Sequence, residues 1–222
     1  MKTCVVIPTY NESKEIRNIV RRIRNLNLDV MVIDDGSDDD TAKISRDCGA
    51  VVLRNLKNEG KGASLIKGFD YALKQGFDAV ITMDGDGQHI PENILYFFKK
   101  AEDSKKALLI GNRMSRPLNM PRIRWFTNKF MSWFISLIIG QKIPDTQCGF
   151  RLIKKDLLLK MKLKTFRYET ESEILMAASK LGYRIESVPI ETVYQGERSQ
   201  INPLIDTFRF IKFIVRETFN LN

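Results

Sequence analysis

Short β-branched apolar runs that stop at polar clusters recur five times in the first half of the chain, and this rhythm constrains the fold most. Thr3–Ile7 ends at Pro8-Thr-Tyr-Asn-Glu12, and Val30–Ile33 runs straight into Asp34-Asp-Gly-Ser-Asp-Asp-Asp40. Val51–Leu53, Ala79–Met83 and Ala107–Ile110 repeat the pattern. Between them lie stretches of helical period. Ile16, Ile19, Val20, Ile23 and Leu26 share one face behind Ser13, a candidate cap. Thr41 to about Cys48 is a second helix, and Lys61–Lys74 a third, with Ala63, Ile66, Phe69, Tyr71 and Leu73 as its apolar face. Pro91–Lys99 opens on a proline, as helices tolerate at their first position. Strands alternating with helices predict a parallel sheet covered on both faces. Ligands of such sheets bind beyond the carboxyl ends of the strands. Asn11-Glu12, Asp34–Ser37 and Asp84–His89 all fall there, which predicts one site.

With 222 residues, 43% apolar and 28% charged, the chain can bury a full core, so disorder and a disulfide-stapled mini-protein are excluded. Its three cysteines are widely spaced with no CxxC pair, and no signal peptide precedes the first strand, so a reducing, cytoplasmic setting is expected. Thirty-six Lys and Arg against 27 Asp and Glu give a net charge of +9, which favours an anionic partner: phosphates, nucleic acid or a membrane face. Trp125–Gly140 is too short and too interrupted to span a bilayer, and reads either as a core helix or as one lying along a membrane. Leu204–Phe219 sets Phe208, Ile211, Ile214 and Val215 beside Arg209, Lys212 and Arg216, again an apolar face edged by cations.

Asp84-Gly85-Asp86 after a strand carries the strongest chemical signal. Two carboxylates one residue apart in a turn can share a hard divalent cation, although Asp and Gly also favour plain solvated turns. Walker and GxGxxG motifs are absent, so P-loop and nicotinamide chemistry lack their cradles. Asn58-Glu-Gly-Lys-Gly62 offers amides and a cation to a phosphate. His89 is the only histidine, which excludes a histidine-based metal cluster and leaves Cys148 as a small buried hydrophobe without a base. Asp145-Thr-Gln-Cys-Gly-Phe-Arg151 and Arg167-Tyr-Glu-Thr-Glu171 add carboxylates that either face the cleft or serve local structure. Arg113, Arg116, Arg122 and Arg124 fit a phosphate-binding rim; no nucleic-acid motif accompanies them, so nucleic acid is not expected as a partner.

Taken in order, VVIPTYNE (5–12), VIDDGSDDDT (32–41), NEGKGASLIKG (58–68), TMDGDGQHIPE (82–92), GNR (111–113), DTQCGFR (145–151), RYETE (167–171) and VPIETVY (188–194) resemble the family 2 glycosyltransferases. The likeness is to the branch of dolichyl-phosphate mannose synthases and other polyprenyl-phosphate glycosyltransferases. It implies a glycosyltransferase A-type fold, a mostly parallel sheet flanked by helices with amphipathic C-terminal helices. One domain would cover 1–222: a nucleotide-sugar half (1–112), an acceptor half (113–202) and a C-terminal amphipathic helix (203–222). Pro8, Tyr10 and Glu12 would line the nucleotide pocket, with Asp35 at the base or ribose and Lys61 by the donor. Asp84, Asp86 and Gln88 would hold Mg²⁺ or Mn²⁺, Asp86 most directly. Arg113 would face the acceptor or the diphosphate, Asp145 and Arg151 would belong to the acceptor side, and Arg124, Arg151 and Arg198 are candidates for an acceptor phosphate.

The implied reaction is inverting transfer of a hexose from a UDP- or GDP-linked sugar to a polyprenyl phosphate. An acceptor phosphate is largely dianionic at neutral pH and needs no general base. The enzyme would sit peripherally on the cytoplasmic face of a membrane, with or without a membrane-anchoring partner. A soluble or glycan hydroxyl acceptor is the alternative and requires a base, Asp145 or Glu171. A non-enzymatic subunit or nucleic-acid-binding protein is the third reading. The chain departs from the mannose synthases at Tyr194 and Gln200, where arginine and lysine are usual.

Overall fold

The computed structural model describes residues 1–104, 106–115, 117, 120–167 and 169–194. The expectations for the helix at 203–222 and for Arg116, Arg198 and Gln200 lie outside them. The chain runs β1 (Thr3–Thr9), α1 (Ile16–Asn25), β2 (Asp29–Asp34), α2 (Thr41–Asp47), β3 (Val51–Arg54), α3 (Lys61–Lys74) and β4 (Ala79–Thr82). It continues with α4 (Ile94–Asp103), β5 (Leu108–Asn112), α5 (Arg122–Ile139), β6 (Arg151–Lys154), α6 (Lys155–Lys160), α7 (Glu169–Lys180) and β7 (Ile185–Pro189). All seven strands form one sheet in the order β3-β2-β1-β4-β6-β5-β7.

The first four strands are parallel, and β1, at the centre of that half, is buried along its whole length. Beyond β4 the sheet departs from the expected rhythm, because β6 enters antiparallel to both β4 and β5. Sequence periodicity gave β6 and β7 no signal of their own, since each is short and flanked by residues with other duties.

Two local expectations are corrected. Ser13 does not cap α1; the helix is entered through a turn in which the Glu12 carbonyl accepts the amides of Glu15 and Ile16. The buried face of α3 is Gly62, Ser64, Leu65, Gly68, Phe69 and Ala72, so of the five apolar residues expected there only Phe69 is fully buried. The helix lies so close to β1 that a Cβ on Gly68 would come within 2.5 Å of Val6 Cγ1, and small residues therefore take the inner face.

Helix α5, over the stretch Trp125–Gly140, packs on the protein by one face and exposes the other. Asn128, Ser132 and Ile135 face inward, while Ile123, Phe126, Phe130, Trp133 and Leu137 form an outer stripe at 60–82% exposure. Among the described residues no helix is long and apolar enough to cross a membrane.

Candidate active site

The parallel register of β1, β2 and β4 brings their carboxyl ends to one edge, and the three polar clusters meet there. Asp84 and Asp86 follow β4 in a turn. Lys61 opens α3 across the cleft, and Glu171 lies in the first turn of α7. Lys61 Nζ stands 2.6 Å from Asp84 Oδ1 and 2.6 Å from Glu171 Oε1, bridging two carboxylates from distant parts of the chain. Gly149 makes that convergence fit, since a Cβ there would lie 2.7 and 2.8 Å from the Asp84 oxygens and 2.9 Å from Glu171 Oε1. A small cleft at this point is lined by Pro8, Lys61, Asp84, Gly149 and Glu171.

Electrostatics follow from the geometry. Burial alone would pull the Lys61 ammonium toward neutrality, but Asp84 and Glu171 outweigh it and hold its pKa well above the ordinary lysine value. Burial likewise opposes the charge on Asp84, yet Lys61 and then His89 keep that carboxyl well below its usual range. Asp86 shifts the other way: burial first, then the charge of Asp84, raises it. An ionised carboxylate beside another that has no matching cation of its own is the donor set that a hard divalent ion relieves. Asp86 Oδ1 also accepts the Gln88 amide at 3.0 Å, which orients the carboxylate. The residues present therefore fit a bound Mg²⁺ or Mn²⁺.

Other expected residues take up different positions. Glu12 is half-buried beside the acidic turn, with its Cγ 3.5 Å from where a Gly85 Cβ would be, and its amide donates to Thr41 Oγ1 at 2.8 Å. Tyr10 is half-buried just past β1. Asp35 is buried, and its carboxylate accepts Asn55 Nδ2 at 2.7 Å and the amides of Glu59 and Gly60 at 2.9 and 2.8 Å. It fixes the loop that delivers Lys61. Asp34 does comparable work, accepting the Ser37 amide at 3.2 Å and pairing with Arg54 at 3.0 Å.

The arginines are corrected more sharply. Arg113 does not face an acceptor or a diphosphate; it is 4% exposed and engages Asp145 through Nε and Nη2 at 2.7 and 2.9 Å. Asp145 also accepts the Arg113 amide at 3.1 Å, so its oxygens are committed and it is unsuited to act as a general base. Arg151 is 1% exposed and donates to the carbonyls of Cys148, Thr146 and Glu171, which makes it an internal brace for the 146–151 loop and α7 rather than a phosphate ligand. Arg124 is half-buried, its guanidinium 5.3 Å from the Tyr194 ring centroid. Cys148 is buried as expected, its thiol pushed up to about 12 by burial.

His89, to which the sequence assigned no role in the site, lies against the acidic turn. It is 3% exposed with Nε2 3.4 Å from Asp84 Oδ2, and the only available signal was its place five residues after that aspartate.

A family model described as Glycosyl transferase family 2 matches residues 4–161. A UDP-N-acetylglucosamine–dolichyl-phosphate N-acetylglucosaminyltransferase of Methanococcus voltae is 33% identical over 213 residues, covering 86% of this chain and 85% of the relative. An undecaprenyl-phosphate mannosyltransferase of Micrococcus luteus is 30% identical over 208 residues, covering 87% and 84%. Among solved structures, glucosyl-3-phosphoglycerate synthase from Mycobacterium tuberculosis, in complex with Mn²⁺, UDP and glucosyl-3-phosphoglycerate, superposes with a TM-score of 0.75 at 18% identity. That match covers 98% of this chain and 80% of the other. The glycosyltransferase A-type fold expected from the sequence is thus the observed one. The expected polyprenyl-phosphate acceptor is corrected here. The same architecture, over nearly the whole chain, is that of an enzyme solved in complex with UDP and glucosyl-3-phosphoglycerate, so this fold does not by itself specify a lipid phosphate.

Proposed function

The chain belongs to glycosyl transferase family 2, and from that premise we propose that it transfers a hexose from a nucleoside-diphosphate sugar to a hydroxyl of a soluble acceptor, with Mg²⁺ or Mn²⁺ bound. The observation that carries the reading is the bridge of Lys61 between Asp84 and Glu171 at 2.6 Å each, beyond the ends of the parallel strands. It supplies, in one cleft, anionic oxygens for a cation, a cation for a diphosphate and a carboxylate for a proton.

Asp86, with Asp84 and Gln88 beside it, would hold the divalent ion, whose contribution when bound is to neutralise the charge gathering on the leaving diphosphate. Lys61 is kept protonated by its two carboxylates and is positioned to turn one of its N–H bonds toward that diphosphate. Glu171, rather than the committed Asp145, accepts the proton of the attacking hydroxyl. The acceptor oxygen bonds to C1 as the C1–O bond to phosphate breaks, in a single inverting displacement. Pro8, Tyr10 and Glu12 line the nucleotide side, and Asp35 acts through the loop that it holds.

The outer stripe of α5, edged by Arg122, Arg124 and Lys129, supports peripheral contact with a membrane face whatever the acceptor is. Co-sedimentation with anionic vesicles tests that part.

Glu171→Gln tests the core of the proposal. Loss of the base should lower kcat by about 10²–10⁴-fold with binding of the nucleotide sugar kept. Unchanged turnover would remove Glu171 from the chemistry.

A further inference from the structure

We propose that His89 is a positioning residue which fixes the Asp84 carboxylate for divalent-cation binding, an inference that rests on the metal-dependent reading above. The ring cannot readily swing away. It is 3% exposed and packs against Phe150 with centroids 5.1 Å apart, and Phe150 is in turn stacked on Phe97 at 4.7 Å. The His89 backbone is pinned as well, through an antiparallel bridge to Thr192 and the Val193 amide, which donates to the Gln88 carbonyl at 3.0 Å.

Only one of its nitrogens has a partner. Nε2 lies 3.4 Å from Asp84 Oδ2, while Nδ1 is buried with no hydrogen-bond partner. Nε2 is therefore the nitrogen placed to donate to Asp84, and Nδ1 makes no competing bond that would turn the ring away. Asp84 is then held at both oxygens, Oδ1 by Lys61 at 2.6 Å and Oδ2 by His89, with the Gly149 backbone closing a third side. If Lys61 turned to a diphosphate, His89 would still hold the Asp84 carboxylate in place for a divalent ion. Partners of this kind, one bond removed from a metal, usually change affinity by about 10–100-fold when lost.

The test is Mn²⁺ uptake by the full chain, read from the electron paramagnetic resonance signal of free Mn²⁺, for the wild type, His89→Phe and His89→Gln. Phenylalanine keeps the packing on Phe150 and removes the donor; glutamine returns an N–H to about the same place. The expected result is Mn²⁺ binding weakened about 10–100-fold in His89→Phe and largely rescued in His89→Gln, with thermal midpoints in the absence of metal close to wild type in both. Equal affinity in His89→Phe, or no rescue by glutamine, would overturn the inference alone. Absence of Mn²⁺ uptake by the wild type would overturn the metal-dependent reading and the inference with it.

Discussion

Arg113 and Asp145 form a two-point ion pair inside the protein, Nε to Oδ2 at 2.7 Å and Nη2 to Oδ1 at 2.9 Å, with side-chain exposures of 5% and 0%. The pair joins the end of β5 to the loop before β6, the place where the sheet changes direction. Buried pairs of this kind contribute little net stability but are costly to break from one side.

Asp145→Ala should therefore lose about 3–5 kcal/mol in urea unfolding, because it strands a buried guanidinium. Arg113→Met combined with Asp145→Leu should lose less than the single change. A smaller loss for the single variant would mean that water reaches Arg113.

The same pair predicts a pH dependence. Burial pushes the Asp145 carboxyl up, but Arg113 overcomes it, and the folded-state value lies below the unfolded one. Its stabilising contribution is then fully present above the ordinary carboxylate pKa of about 3.9 and is lost as pH falls through the folded value. Asp145→Asn should flatten the acid limb of a stability–pH curve relative to wild type. An unchanged limb would assign the acid sensitivity to other carboxylates.

Lys61→Met should leave Asp84 and Glu171 without their shared cation. Transfer should fall by at least about 10²-fold, in line with losing a preorganised charge at a leaving group. Mn²⁺ should raise the thermal midpoint of this variant more than that of the wild type, because the ion then compensates two carboxylates. Equal shifts would mean that Lys61 does not compete for the metal site.

Gly149→Ala places a methyl group 2.7 Å from Asp84 Oδ1 and 2.9 Å from Glu171 Oε1. Asp84 is short and already held, so the side chain must turn out of position. Metal binding and turnover should drop by about tenfold or more, on the scale of a displaced metal ligand partner, with little change in the circular dichroism spectrum. Normal Mn²⁺ affinity in this variant would show that Asp84 relaxes without loss.

Burial lifts the thiols of Cys4 and Cys148 to about 12, whereas Cys48 is only half-buried. Iodoacetamide at pH 8 should alkylate Cys48 first in the native protein, and the other two only on unfolding, since the thiolate is the reactive form. Native labelling of Cys148 would mean that the 146–151 loop opens.

The legible part of this protein was the part with period. Strand runs such as Val30–Ile33 and helical faces such as Ile16–Ile23 placed β1 to β4 and the acidic turn at their ends. The sequence also marked Lys61, Asp84 and Glu171, which the fold brings together. What it could not reveal was direction. A charged residue looks the same whether it faces a cleft or an interior partner, so the sequence could not show that Asp35, Arg113, Asp145 and Arg151 each bond to groups within the protein. The antiparallel entry of β6 depends on contacts with β4 and β5 far along the chain, and a four-residue strand carries no sign of its direction. The acceptor was not legible either, since the same fold is found in an enzyme solved with glucosyl-3-phosphoglycerate.

The most direct measurement is a product-resolved transfer assay. Purified protein with Mg²⁺ or Mn²⁺ receives UDP- or GDP-linked sugars one at a time, with a panel of soluble hydroxyl acceptors that includes phosphoglyceric acid, or with polyprenyl phosphate in detergent. The account predicts a water-soluble glycosylated product that disappears with chelator and with Asp86→Ala. A sugar recovered only in the lipid extract, or turnover that survives Asp86→Ala, would contradict it.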